Sequence, residues 1–256
     1  MHPSLTLLAA VFGALTGLLV PRAAYRLAVE PEEPWRSTCP AGHPIPGVAN
    51  GWLGRARCTA VSAAGDAPAP DCRRYAAAVV VAPVVCMLAC AALAAAAGPR
   101  PELAVWLLLT PFATVLAVVD ASVHRLPDVL TLPLAGAAVV LLGAAAFADG
   151  HGGSWTGAVW GALALAGAYF VLFLIHPEGM GFGDVKLALL VGAALGWYGW
   201  VVLFLGAFAG IALGAAYGLG LMLLRRADRK SGMPLGPFML IGALLGLLLG
   251  AAGASA

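Results

Sequence analysis

The sequence predicts an all-α fold, a polytopic membrane helical bundle of about eight transmembrane helices with a small cytoplasmic lobe. Three observations predict it. Of 256 residues, 62% are apolar and only 10% charged, and the mean hydropathy of +0.94 lies far outside the balance of a soluble domain. Eight apolar runs approach the roughly 20 residues that a spanning helix needs. The basic residues fall almost entirely on one side of the membrane when those runs are threaded in order. A net charge of +2 gives no basis for a nucleic-acid partner, so the lysines and arginines are orientation signals and the expected surroundings are a lipid bilayer.

The first run, Leu5 to Val20, has no Lys or Arg before Arg22. That is the wrong polarity for a cleavable signal peptide, so it is expected to be a retained first helix (residues 1–20) with its N-terminus outside. Residues 21–74 follow as a hydrophilic stretch rich in Pro, Gly, Arg and Cys. A module this short needs a metal, disulfides or docking against something larger, and it is expected to pack on the membrane surface. Residues 75–256 then form the membrane domain. Its runs are Tyr75 to Ala97, Leu103 to Val119, Val129 to Phe147, Trp155 to Ile175, the short Val185 to Trp197, Trp200 to Leu224 and Leu235 to Ala252.

Eight crossings place Arg22, Arg26, Arg36, Arg55, Arg57, Arg73, Arg74, Arg125, Lys186, Arg225, Arg226, Arg229 and Lys230 in the cytoplasm, 13 of the 14 basic residues. Only Arg100, in the turn Gly98 to Pro101, lies outside. Small residues recur through Gly206 to Gly210 and Gly214 to Gly218, a pattern that lets helix backbones approach closely. No long-period repeat suggests the inverted halves of a transporter.

An ionisable side chain at mid-span costs about 2.5 to 3.5 kcal/mol on insertion scales, so the twelve acids are sorted by position. Glu30, Glu32, Glu33, Asp66 and Asp71 lie in the lobe, and Glu102, Asp149 and Asp228 in turns, where none needs a special role. Asp128 follows Pro127 and reads as a turn acid capping the fourth helix. Glu178 lies in a Gly-rich loop and can be solvated. Asp120 ends the apolar run Leu116-Ala-Val-Val-Asp120. Asp184 lies in His176-Pro-Glu-Gly-Met-Gly-Phe-Gly-Asp184-Val-Lys186, where Gly179, Gly181 and Gly183 permit unusual backbone angles and close approach of another segment.

Asp184 opens a helix and Asp120 closes another on the same membrane face, so the two carboxylates can meet at the cytoplasmic boundary. If they meet, like-charge repulsion leaves one proton shared between them, and one acid can activate water while the other protonates a carbonyl. Spacing alone leaves open an ion or proton site, or two unrelated helix-end acids. Lys186 lies off the Asp184 face and is expected to snorkel to lipid phosphate. His124 and His176 read as helix-end residues, and Trp52, Trp155, Trp160, Trp197 and Trp200 as interfacial belt residues.

At these residues the sequence resembles the type IV prepilin peptidases and, more distantly, other GxGD-type membrane aspartyl proteases. Asp120-Ala-Ser-Val-His-Arg-Leu-Pro-Asp128-Val-Leu-Thr-Leu-Pro looks like the first aspartate block, Gly181-Phe-Gly-Asp184-Val-Lys186 like the second, and Met233-Pro-Leu-Gly-Pro-Phe238 like a signature at the start of the last helix. The resemblance implies that Asp120 and Asp184 are catalytic and that Pro127, Asp128, Gly181, Gly183 and Lys186 support the motifs. It implies cleavage of the basic leader from prepilin or pseudopilin precursors, at the cytoplasmic face of a bacterial inner membrane, just before their apolar segment. No cofactor is needed for that step. The rival from another class is a proton-coupled small-solute or ion transporter using the same acids.

The N-terminal third departs from the family pattern. Cys39-Pro-Ala-Gly-His43-Pro-Ile resembles its cysteine region, but Gly42 and Val61 stand where two CxxC pairs would close. Cys39, His43, Cys58 and Cys72 can supply three sulfurs and a nitrogen, yet the regular zinc spacing is absent, and reduced thiols with no metal are expected. Cys86 and Cys90 read as small apolar core residues. S-adenosylmethionine is a cofactor only if the family's second activity, methylation of the new N-terminus, is retained.

Overall fold

A computed structural model describes residues 2–30, 32–58, 78–177, 180–224 and 234–254. Tyr75, Cys72, Glu178, Gly179 and Met233, which figure in the sequence reading, lie outside the described residues. The described chain is all-helical apart from isolated bridges. A helix occupies each of the eight apolar runs: α1 (Pro3–Gly17), α4 (Val81–Ala97), α5 (Pro101–Val123), α6 (Asp128–Ala145), α7 (Trp155–Ile175), α8 (Phe182–Gly196), α9 (Trp200–Leu223) and α10 (Gly236–Gly253). Two shorter elements are α2 (Val20–Leu27) and the single turn α3 (Val48–Gly51). The chain is thus a multi-pass membrane protein, with six helical segments among the described residues long and apolar enough to cross.

The helix ends follow local chemistry. Pro101 opens α5 where its missing N–H costs nothing, and Ser154 caps α7 by accepting the Gly157 N–H at 3.3 Å. His124 ends α5 in the left-handed region at φ 51°, its N–H bonded to the Asp120 carbonyl at 2.8 Å. The first helix does not end its helical path at Val20: after a turn at Leu18 and Leu19 the chain continues as α2 to Leu27. α2 is amphipathic, with Val20, Ala24 and Leu27 packed on Val115 and Val119.

Helices meet through glycine. A β-carbon on Gly157 of α7 would lie 2.6 Å from the Gly196 carbonyl of α8, and one on Gly210 of α9 2.9 Å from the Phe238 carbonyl of α10, so these backbones touch directly. The 15 residues of α8 rise about 22 Å, short of a bilayer core of ~30 Å. Yet α8 is buried along most of its length and packs against α6, α7, α9 and α10. It is the central strut of the bundle, and Asp184 sits in its first turn.

Three expectations need correction. Trp197 is 1% exposed in the core and Trp52 packs in the lobe, so neither is a belt residue, whereas Trp155, Trp160 and Trp200 are exposed. Glu102 is no solvated turn acid: it is completely buried, accepting the Gly152 N–H at 3.0 Å and the Tyr198 hydroxyl at 3.4 Å. Asp128 does not cap α6; it is the first helical residue, no side chain caps that end, and its partner is elsewhere.

The lobe is held by polar ties. Arg22, 3% exposed, donates to the carbonyls of Leu53 at 2.9 Å and Pro46 at 2.6 Å, while Arg26 donates to Asn50 at 2.7 Å and lies 4.1 Å over the Trp52 ring. Two arginines on α2 therefore anchor the loop 46–53 to the membrane domain, the docking that so short a segment needs.

Candidate active site

Asp120 and Asp184 are both buried, at 4% and 7% exposure, and lie within electrostatic reach of each other. Asp120 comes from the last turn but one of α5, carried there by an apolar face that buries Val115, Leu116 and Val119. Its Oδ2 accepts the Gly236 N–H of α10 at 2.9 Å. Asp184 is the third residue of α8, its side chain folded back beside Gly181. His124, beyond the end of α5, lies in electrostatic reach of Asp120, and the buried Tyr169 of α7 in reach of Asp184. Four helices, α5, α7, α8 and α10, thus contribute to the surroundings of the two carboxylates.

The glycines of the second block act by size. Gly181 has φ −70°, and neither it nor Gly183 adopts a positive φ, so the expected unusual backbone is not used at these two positions. A β-carbon on Gly183 would lie 3.0 Å from the Leu126 side chain, in the loop that joins the two acids of the first block. Close approach of the two blocks is therefore the reason for that glycine. Gly236 is tighter still: a β-carbon there would fall 2.7 Å from Asp120 Oδ2.

Lys186 does not snorkel to lipid. Its Nζ meets Asp128 Oδ1 at 2.6 Å and lies 4.9 Å over the Phe182 ring, an ion pair linking the first and second blocks with Asp128 itself well exposed. Pro127 precedes it as the N-cap of α6, its carbonyl accepting from the Thr131 N–H and hydroxyl at 3.0 Å each. The Pro-Leu-Gly-Pro segment marks the neighbourhood of Gly236 but not its bond to Asp120, and nothing in the sequence distinguishes Tyr169 among the aromatic residues of its helix.

In the lobe, Cys39, His43 and Cys58 converge, with donor atoms all within 4.8 Å of one another. His43 Nδ1 lies 3.5 Å from Cys39 Sγ and 3.7 Å from Cys58 Sγ. Burial pushes the Cys39 thiol up, but hydrogen bonds from the backbone of His43 and Ala41 and from the His43 and Cys58 side chains outweigh it and bring it down to about 7. Two thiols and an imidazole suit a tetrahedral soft cation with one position left over, which would staple the lobe. The turn 39–43, closed by the Cys39 N–H on the His43 carbonyl at 2.9 Å, creates this proximity without CxxC spacing.

An all-helical membrane bundle with two buried acids at helix ends, the charge of one acting on the other, defines a class, the polytopic membrane proteins that carry buried carboxylates between helices. The chain belongs to the type IV leader peptidase family, whose profile matches residues 107–219. It is similar to the prepilin leader peptidase/N-methyltransferase of Aeromonas hydrophila, 34% identical over 222 residues that make up 84% of this chain and 72% of that one. It is also similar to proteins of the same name from Stutzerimonas stutzeri, 35% identical over 56% of this chain, and Escherichia coli (strain K12), 33% identical over 61%. The match spans about half the length of the Stutzerimonas relative and 69% of the Escherichia one. No solved structure matches the chain.

Proposed function

We propose that this chain is an aspartic endopeptidase of the bacterial inner membrane that removes the leader of prepilin-like or pseudopilin precursors at the cytoplasmic face. One observation supports the reading: in a chain of this family, the acids of two distant motifs are both buried at helix ends, near enough that the charge of Asp120 acts on Asp184. Two carboxylates brought together there would hold one proton between them. One takes a proton from water as it attacks the scissile carbonyl, and the other gives its proton to the carbonyl oxygen. The amide of Gly236 fixes the Asp120 carboxylate, and the Asp128–Lys186 pair ties its loop to the head of α8.

Proteolysis requires no cofactor in this scheme. The names of the relatives include N-methyltransferase, and methyl transfer from S-adenosylmethionine would be a second step on the freed amino terminus. If a metal is held, Cys39, His43 and Cys58 would hold it and it would be structural. Transport finds no support in the family assignment, and the acids lie at a helix end and not at mid-span. Mass spectrometry of a precursor co-expressed with this chain tests the proposal. A leader-free product is expected, its mass also reporting any added methyl; an intact precursor beside correctly inserted chain would overturn it.

A further inference from the structure

A cavity of about 250 Å³ opens between α4 and α10 over a floor of α5 and α8. Along α5 it runs from Trp106 to Ala117, about 17 Å at 1.5 Å per residue. Its inner end points toward the carboxylate pair: Ala117 is one turn before Asp120 on α5, and Pro237 on the opposite wall adjoins Gly236, which donates to Asp120. Its walls carry no ionisable side chain. The two hydroxyls there already donate to their own helix, Thr110 to the Trp106 carbonyl at 2.7 Å and Thr114 to that of Thr110 at 2.8 Å, and the Trp106 N–H donates to the Tyr198 hydroxyl at 3.2 Å. A lining with every polar group engaged selects an apolar occupant, and it offers no relay for protons or ions.

We infer that this groove docks the apolar helix that follows the cleavage site of the precursor, one face of that helix lying along α5 from Ala117 toward Trp106 while the scissile bond rests at Asp120 and Asp184. The inference rests on the peptidase reading and adds where the membrane part of the substrate lies. Polarity agrees with it: α5 brings Asp120 to its cytoplasmic end, so a chain cut there and continuing into the bilayer must run outward, as the groove does. A helix about 10 to 12 Å across is too large to enter the groove whole, so the groove takes only a ridge of its side chains and leaves the other face in lipid. Small residues of the floor, such as Ala113 and Ala117, let the incoming backbone come close.

The test places a photo-crosslinking benzophenone amino acid at Val85 of α4 or Ile241 of α10, groove residues 44% and 46% exposed, and at Phe208 on the outer face of α9, 69% exposed. The full-length chain carries Asp184→Asn so that precursor accumulates in the membrane. Precursor adducts are expected at Val85 and Ile241 and not at Phe208. Equal adducts at all three positions, adducts at Phe208 alone, or lipid adducts only at the groove positions would overturn the docking. As a second measure, Ala113→Phe fills the floor and should raise KM for the full precursor about tenfold, removing binding shared by ground and transition states; an unchanged KM would count against it. Cleavage by the unsubstituted chain in the same membranes reads the peptidase proposal separately. Cleavage without groove adducts defeats the docking alone, and adducts without cleavage defeat the peptidase reading alone.

Discussion

The membrane bundle and the lobe are built on opposite logics. In the bundle apolar contact is plentiful and polar groups are few, so each buried polar atom carries information: Asp120, Asp184 and Glu102 are held by specific donors or charges. Among the described residues of the lobe apolar contact is scarce, with a small core of Cys39, Ile45 and Ala56, and polar ties supply the order that packing cannot. The comparison teaches that a substitution in the bundle should strike chemistry first, whereas one in the lobe should strike local stability first.

The sharpest way to break the comparison is at the acids. Asp120→Asn and Asp184→Asn keep shape and remove the ability to exchange a proton, so each should cut the rate of precursor cleavage by about 10³-fold or more, with membrane insertion unchanged. Cleavage retained by either variant in a purified assay would defeat the dyad. Gly236→Ala should come next. Its methyl group would lie 2.7 Å from Asp120 Oδ2, so the carboxylate must shift, and a displacement of about 1 Å costs on the order of 10²-fold in rate. Wild-type turnover by Gly236→Ala would show that Asp120 needs no such fixing.

Much of this arrangement is legible in the chain because it is written locally. Hydropathy and the one-sided basic residues mark the eight helices, and Asp120 and Asp184 stand out as acids at the ends of apolar runs. What escapes is partnership across distance. Asp128 looks like a cap because its partner Lys186 is 58 residues away, and Gly236 stands in a motif with no visible partner because its acid is 116 residues away. Glu102 looks solvated because a short turn gives no hint that Gly152 and Tyr198 close over it. Broken CxxC pairs leave Cys39, His43 and Cys58 as candidates whose spacing does not demand that they meet, and a five-residue turn and a later cysteine bring them together. Local patterns thus identify elements and lone charges; the fold alone decides which polar groups meet.

In the lobe the expected effects are smaller and of another kind. Arg22→Met removes two hydrogen bonds from a buried, charged donor to the part-buried carbonyls of Pro46 and Leu53, each worth at most about 1.5 to 3 kcal/mol. Hydrogen exchange should rise across the loop 46–53 while α5 and α8 stay protected. Equal loss of protection in α5 would mean that lobe and bundle unfold as one unit.

The smallest effect is expected where the two regions' logics meet, at the ion pair of Asp128 and Lys186. The pair joins the catalytic blocks, which argues for importance, but the Asp128 side chain is 61% exposed, and exposed pairs contribute only about 0 to 1 kcal/mol. Asp128→Asn should therefore slow cleavage only a few-fold, since 1 kcal/mol is about a fivefold factor in rate. Because salt screens an exposed pair, the wild type should lose part of its advantage over the variant at high ionic strength. A loss as deep as that of Asp184→Asn would place Asp128 among the groups that touch the substrate, and the proton-sharing pair would have to be drawn again with a third acid.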